Sequence, residues 1–211
     1  LLAGVTVEAM DAAAVRALRG EMAEGNMDAV PLEKAPRIAV YTPPDAPPWD
    51  DAVTLALTYA GIPYDAIWDD AVLDTDLSTY DWIHLHHEDF TGQQHKLASV
   101  YRDAPWFVRS RERDLAMARR FGHADIPALK KAVADRLAAF VSRGGFLFAM
   151  CGSTETLELA LAGRDVDIAG VAADGSPVDP GADGKMEWTR AMAFAGATLE
   201  MAPGVNAMSD I

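Results

Sequence analysis

The chain has 211 residues, a formal net charge of -14 and 50% hydrophobic residues, enough for one domain with a sizeable core. The acidic balance disfavours nucleic acid and anionic membrane surfaces, which require a basic face. A single cysteine excludes an internal disulfide framework and any multi-cysteine zinc site. No apolar run reaches the roughly 18 to 20 residues of a membrane span. A small-molecule substrate is the expected partner, with a homodimer left open. The chain begins Leu1-Leu2 and stops at Ile211, which reads like a piece cut from a longer protein. The compartment, cytoplasmic or exported, therefore stays undecided.

Residues 1–36 read as a helical lead-in. Met10, Ala14, Ala17 and Leu18 have helical spacing, broken by Gly20 and Gly25, and Pro31 and Pro36 bracket a linker. Arg37 to Tyr41 is the first core strand. It ends in the Pro-rich run from Pro43 to Pro48, which must be a loop. A helix is predicted from Trp49 to Ala60 with Gly61 as its C′ glycine, followed by a strand over 62–68. This βαβ order belongs to a parallel α/β sheet. The acidic stretch from Asp69 to Tyr80 reads as a loop with one helical turn. A third strand over 81–86 runs into His87, Glu88 and Asp89.

Arg102, Arg109, Arg111, Arg113, Arg119 and Arg120 make the segment around 105–121 the one basic stretch. A solvated helix face is its simplest reading; the alternative is an anchor for a carboxylate or phosphate. Pro127 opens a helix carrying Leu129, Val133, Leu137, Phe140 and Val141 on one face. Gly144 and Gly145 then start an apolar run, Phe146 to Met150, which suits a buried parallel strand. The only cysteine, Cys151, follows directly. Gly152 comes next, and a helix is predicted from Ser153 to Ala162, ending at Gly163. Residues 37–165 thus form an α/β core. The segment 166–211 is irregular, with one edge strand expected within 191–201.

The resulting expectation is a flavodoxin-like open parallel sheet in order 2-1-3-4, flanked by helices in a three-layer sandwich. In such sheets ligands bind at the carboxyl ends of the strands. Cys151 falls there on a sharp strand-to-helix turn, the layout of a nucleophile elbow. The helix N-terminus favours a thiolate, and the backbone N–H groups of Gly152 and Ser153 are candidate oxyanion donors. His86 or His87 could take the thiol proton, with Glu88 or Asp89 orienting it. Two other readings stay open. His84, His86 and Glu88 could hold a divalent metal such as zinc, or the cluster could bind a small ligand without catalysis. A buried, hydrogen-bonded His84 and an inert core Cys151 form the plainest alternative. No Gly-x-Gly-x-x-Gly, Walker A, His-Glu-x-x-His or EF-hand pattern is present.

The elbow Phe148-Ala149-Met150-Cys151-Gly152-Ser153-Thr154, after a βαβ start, resembles the class I glutamine amidotransferase-like superfamily. The runs Glu33 to Tyr41, Pro48 to Leu57 and Asp81 to Gln93 look like bacterial proteins commonly labelled asparagine synthetase B. That resemblance runs from about residue 26 to the end of the chain. It implies the flavodoxin-like fold and a cysteine-dependent amidase or amidotransferase. The label itself implies glutamine-dependent asparagine synthesis, which the motifs do not support. Enzymes of that type use an N-terminal cysteine and a Ser-Gly-Gly-x-Asp-Ser loop, and neither occurs here. The superfamily also places its catalytic histidine after the cysteine, whereas the last histidine here is His123. The partner of Cys151 is therefore either the 84–88 cluster or a residue beyond Ile211.

Overall fold

The computed structural model describes residues 9–27, 35–44, 46, 52–94, 100–201 and 207–209. The Pro31 linker, Pro47, Pro48 and the Trp49 to Asp51 helix opening lie outside the described residues. The chain divides into two units, Leu1–Pro36 and Arg37–Ile211. In the first, α1 spans Ala12–Glu24, and the Asp11 carboxylate caps it by accepting from the Ala13 and Ala14 N–H groups at 2.9 and 2.8 Å. None of its residues is buried.

The second unit is an α/β fold. Its sheet consists of β1 (Ile38–Tyr41), β2 (Asp65–Ile67), β3 (Trp82–Leu85) and β4 (Phe146–Ala149), all parallel, in spatial order β2-β1-β3-β4. With helices on both faces it is a flavodoxin-like three-layer sandwich. The residues of β1 are buried on both faces because the strand is central, which is why it reads as a continuous apolar run.

The two faces carry different cores. Ile38 and Val40 pack with Leu57 of α2 (Ala52–Ala60). Ala39, Tyr41, Ile83 and Leu85 pack on the opposite side. There they meet Val133, Leu137 and Phe140 of α5 (Ile126–Ser142) and Leu157 and Leu161 of α6 (Gly152–Ala162). Between β2 and β3 lie α3 (Asp69–Asp74) and a 3-10 turn (Leu77–Thr79), so the stretch read as mostly loop is mostly helical. Val72 and Leu77 reach the same core. Each fully buried aliphatic side chain of this kind contributes about 1.5–3 kcal/mol.

β4 departs from the expected buried strand. Leu147 and Ala149 face the core, but Phe146 and Phe148 are 56% and 45% exposed. The strand is last in the sheet, so its side chains have a neighbouring strand on one side only. An apolar run specifies a strand; it does not specify a central one.

Helix α4 (Pro105–Arg120) splits the basic segment. Arg102, Arg109, Arg119 and Arg120 are exposed, as a solvated face requires. Arg111 instead donates to the carbonyls of Ala172 and Ala173, at 3.2 and 2.6 Å, where the short α7 (Val171–Asp174) sits. The tail is more ordered than its composition suggests. Val166, Ile168, Ala182, Leu199 and Ala207 form a second core around Leu159 of α6. β5 (Leu199–Met201) pairs antiparallel with β6 (Ala207–Ser209), so the expected edge strand belongs to a separate hairpin rather than the main sheet. Glu158 accepts from three consecutive N–H groups, those of Met192, Ala193 and Phe194, at 2.8, 3.0 and 3.2 Å. Gln93 clamps β6 by accepting from the Ala207 N–H at 2.7 Å and donating to the Ala207 carbonyl at 3.3 Å.

Candidate functional site

The turn from β4 to α6 places Cys151 at the carboxyl end of the sheet. Its backbone has φ 52° and ψ -134°, a conformation that side-chain-bearing residues rarely hold. Such a conformation costs about 1–3 kcal/mol and persists only where surrounding contacts enforce it. Here those contacts are explicit. The Met150 N–H donates to the Leu85 carbonyl at 3.0 Å, extending the β3–β4 ladder to the turn. The Ser153 N–H donates to the His86 carbonyl at 3.1 Å and to that of Met150 at 3.2 Å. The first turn of α6 is thereby tied to the end of β3. The Cys151 thiol is free and exposed.

Glu88 is the hub of this web. It is 7% exposed. Its Oε2 accepts from the His86 N–H at 3.0 Å and from the Ser153 hydroxyl at 3.4 Å. Its backbone carbonyl accepts from the hydroxyls of Ser153 and Thr156 at 3.1 and 3.0 Å. Ser153 and Thr156 are both buried. Glu88 therefore fastens the β3 loop to the helix that carries Cys151 at its N-cap. Its carboxylate orients the His86 backbone rather than an imidazole.

The histidines occupy three different settings. His84 lies within β3 at 1% exposure, stacked on Phe148 with ring centroids 5.6 Å apart. β3 ends at Leu85, so strand alternation no longer governs His86 and His87. Their rings lie edge to face at 4.8 Å, and their Nδ1 atoms are 3.2 Å apart, so one ring donates to the other. His86 is partly exposed and His87 exposed. Among the described residues no group of three or more His, Cys, Asp or Glu side chains is arranged to hold a metal ion; His84, His86 and Glu88 form no such group. The two oxyanion candidates also separate. The Ser153 N–H already has acceptors, whereas the Gly152 N–H has no backbone acceptor among the described residues.

Among the described residues, a cleft lies on either side of the elbow. One, of about 360 Å³, is mostly apolar and takes in Thr154 and Glu158 of α6 with Leu147 and Phe194. The other, of about 180 Å³, lies where β1, β2 and β3 end, between Glu88 and the aromatic residues Trp68, Trp106 and Phe107.

Behind this second cleft is a buried polar triad that the sequence did not announce. Lys130 Nζ donates to both Asp69 carboxylate oxygens, at 2.9 and 2.8 Å, and to the Tyr41 hydroxyl at 2.9 Å. The Tyr41 hydroxyl in turn donates to Asp69. Burial, then the Asp69 charge, pushes the Tyr41 hydroxyl well above the ordinary tyrosine range, so it remains a proton donor. Lys130 also lies 4.0 Å from the Trp68 ring centroid. Asp114, buried beside this group, has its carboxyl raised by burial, with Lys130 and Arg113 opposing the shift. Lys130 was hidden in the periodic pattern of α5, and Asp69 in an acidic run. The one available signal was a lysine within an otherwise apolar helix face of a lysine-poor chain.

No helix among the described residues is long and apolar enough to cross a membrane. Comparison of the chain with family models, curated proteins and solved structures returned no match.

Proposed function

We propose that the protein is a cysteine-dependent acyl-transfer enzyme, an amidase or amidotransferase-like hydrolase acting on a small amide, with Cys151 as nucleophile. The observation that carries the reading is the strained backbone of Cys151 at the junction of a parallel strand and a helix N-terminus. That turn holds a side chain out from the sheet edge, where a substrate carbonyl can reach it. The resemblance to class I glutamine amidotransferase-like proteins supports the same chemistry. The asparagine synthetase B label adds a synthetic reaction for which the chain carries no motif.

In this mechanism an imidazole of the His86–His87 pair takes the thiol proton. The sulfur attacks the amide carbon, and a C–S bond forms as the carbonyl oxygen becomes an oxyanion. The Gly152 N–H, at the positive end of α6, stabilises that charge. Collapse of the intermediate breaks the C–N bond, and the imidazolium returns its proton to the leaving amine. Water then attacks the thioester, releasing the carboxylic acid and restoring the thiol. Glu88 is a positioning residue, since it holds the backbone of His86 and the first turn of α6 in one unit.

The test is covalent labelling of the folded full chain with an electrophilic glutamine analogue, followed by peptide mass spectrometry. The expected result is one adduct on Cys151, absent in Cys151→Ser. An unlabelled Cys151 in protein whose thiol still reacts with general thiol reagents would overturn the assignment.

A further inference from the structure

The mostly apolar cleft of about 360 Å³ bears on the substrate that the Cys151 chemistry leaves open. Its volume falls in the range of small-molecule sites, roughly 300–1,000 Å³. Leu147 and Ala149 of β4, Leu157 of α6 and Phe194 line it with hydrocarbon. Thr154 and Glu158 line it from α6. Counted from Cys151, these two stand at spacings of three and seven, so all three residues fall on one side of the helix. Helix side chains lean towards the N-terminus. The Thr154 hydroxyl does so and donates to the Cys151 carbonyl at 2.6 Å. The cleft thus follows the side of α6 that begins at the nucleophile, and Ala149 continues its lining on β4.

Charge narrows the choice. Glu158 is only 4% exposed, and its Oε2 accepts from the N–H groups of Met192, Ala193 and Phe194 at 2.8, 3.0 and 3.2 Å. Three peptide donors meet that charge and hold the 192–194 segment against α6. Among the described residues that line the cleft, none is Lys, Arg or His. A ligand carboxylate or phosphate would find no counter-charge there and would face the Glu158 carboxylate. A ligand cation would compete with three N–H groups for a carboxylate that is nearly closed off. An uncharged hydrocarbon group gives up no polar hydration on entry and gains the apolar walls.

We infer that this cleft holds the uncharged hydrocarbon end of the amide substrate, an aromatic or branched aliphatic group, while the carbonyl lies at the elbow. The substrate class is an apolar primary amide, which water converts to ammonia and an apolar carboxylic acid. The inference rests on Cys151 as nucleophile. A glutamine analogue reads the reactivity of the thiol, whereas the cleft sets which amide is preferred.

Three primary amides with the same reacting end decide it: 3-phenylpropanamide, succinamate and 3-aminopropanamide, which end in a phenyl ring, a carboxylate and an ammonium. Each is titrated at neutral pH into the full chain carrying Cys151→Ser, so that binding is read without turnover, by isothermal calorimetry and saturation-transfer NMR. The phenyl amide should bind at least tenfold more tightly than either charged one. Ala193 lines the cleft from an exposed position, and Ala193→Trp fills it while keeping the N–H that Glu158 accepts from. That change should weaken binding of the phenyl amide at least tenfold, with a thermal melt no lower than before. Phe194→Ala should weaken it several-fold and carries the test if Ala193→Trp does not fold. Equal affinities for the three amides, a preference for succinamate, no saturable binding, or a folded Ala193→Trp with full affinity would each overturn the inference. Such a result with Cys151 still labelled by the glutamine analogue removes the cleft and leaves the nucleophile. Selective binding of the phenyl amide with Cys151 unlabelled removes the nucleophile, and with it the assignment of that ligand as a substrate.

Discussion

Lys130 Nζ lies 2.8 Å from Asp69 Oδ2, and the two side chains are only 5% and 0% exposed. The pair joins the second turn of α5 to the start of α3, at the point where β2 leaves the sheet. A charge so placed is tolerable only with its partner. Lys130→Met should therefore destabilise the fold by about 3–5 kcal/mol, because Asp69 is left buried and alone. The double variant Lys130→Met with Asp69→Asn should recover most of that loss. Urea unfolding of the two proteins measures the difference, and equal midpoints would contradict the coupling.

Cys151 can be tested for strain apart from chemistry. Glycine accepts its φ of 52° without a steric penalty. Cys151→Gly should gain about 1 kcal/mol, the strain relieved less the extra freedom of glycine in the unfolded chain. Cys151→Ala retains a Cβ and should show no such gain. A lower melting temperature for the glycine variant than for the alanine variant would show that the turn is not strained.

Glu88 joins four hydrogen bonds around the elbow, two through its side chain. Glu88→Ala removes the side-chain pair and should cost about 1–3 kcal/mol, chiefly because the His86 N–H loses its acceptor; the Ser153 hydroxyl keeps the carbonyl of residue 88. It should also slow labelling of Cys151 by the glutamine analogue more than labelling by a small alkylating agent. Equal slowing by both reagents would assign Glu88 to stability alone.

Asp114 gives a pH-dependent test. Its folded carboxyl is raised above the ordinary value near 3.8, chiefly by burial. A group with a higher folded than unfolded pKa favours the folded state while protonated. That preference is present below the unfolded value and is lost as pH rises through the folded one. Asp114→Asn removes the penalty, so the stability of the variant relative to the parent should increase from about pH 3.5 towards neutrality. Denaturant unfolding across that window reports it; a relative stability that falls with rising pH would mean that Lys130 and Arg113 dominate instead.

Gly92 holds the loop after β3 against the start of α5. Its φ is +74°, and a Cβ there would meet the Pro127 N and Cα at 2.6 Å. The obstacle is backbone, which cannot turn aside. Gly92→Ala should destabilise by at least about 2 kcal/mol, combining the left-handed penalty with overpacking.

Much of the fold was legible in order. Gly61, with φ +68°, ended α2 where the periodicity stopped, and Pro127 opened α5. Glycine and proline act through local backbone sterics, so they can be read without tertiary information. The β1 run Ile38 to Tyr41 was legible for a similar reason, since a central parallel strand needs apolar residues on both faces. β4 misled because an edge strand here carries the same apolar composition. Strand order, not composition, exposes Phe146 and Phe148.

The elbow divides the same way. That Cys151 follows a strand and precedes a helix was written in Gly144 to Thr156, and with it the place of the cysteine at the carboxyl end of that strand. Its positive φ, the capture of the Ser153 N–H by His86, and the anchoring of α6 by Glu88 depend on β3 and β4 lying side by side. The Lys130–Asp69–Tyr41 triad likewise joins residues from three elements far apart in the chain. Periodicity encodes which face of an element is buried, and local sterics encode where it stops. Which polar group meets which across the sheet edge is set only when the elements pack, because that pairing minimises unsatisfied buried charge over the whole fold.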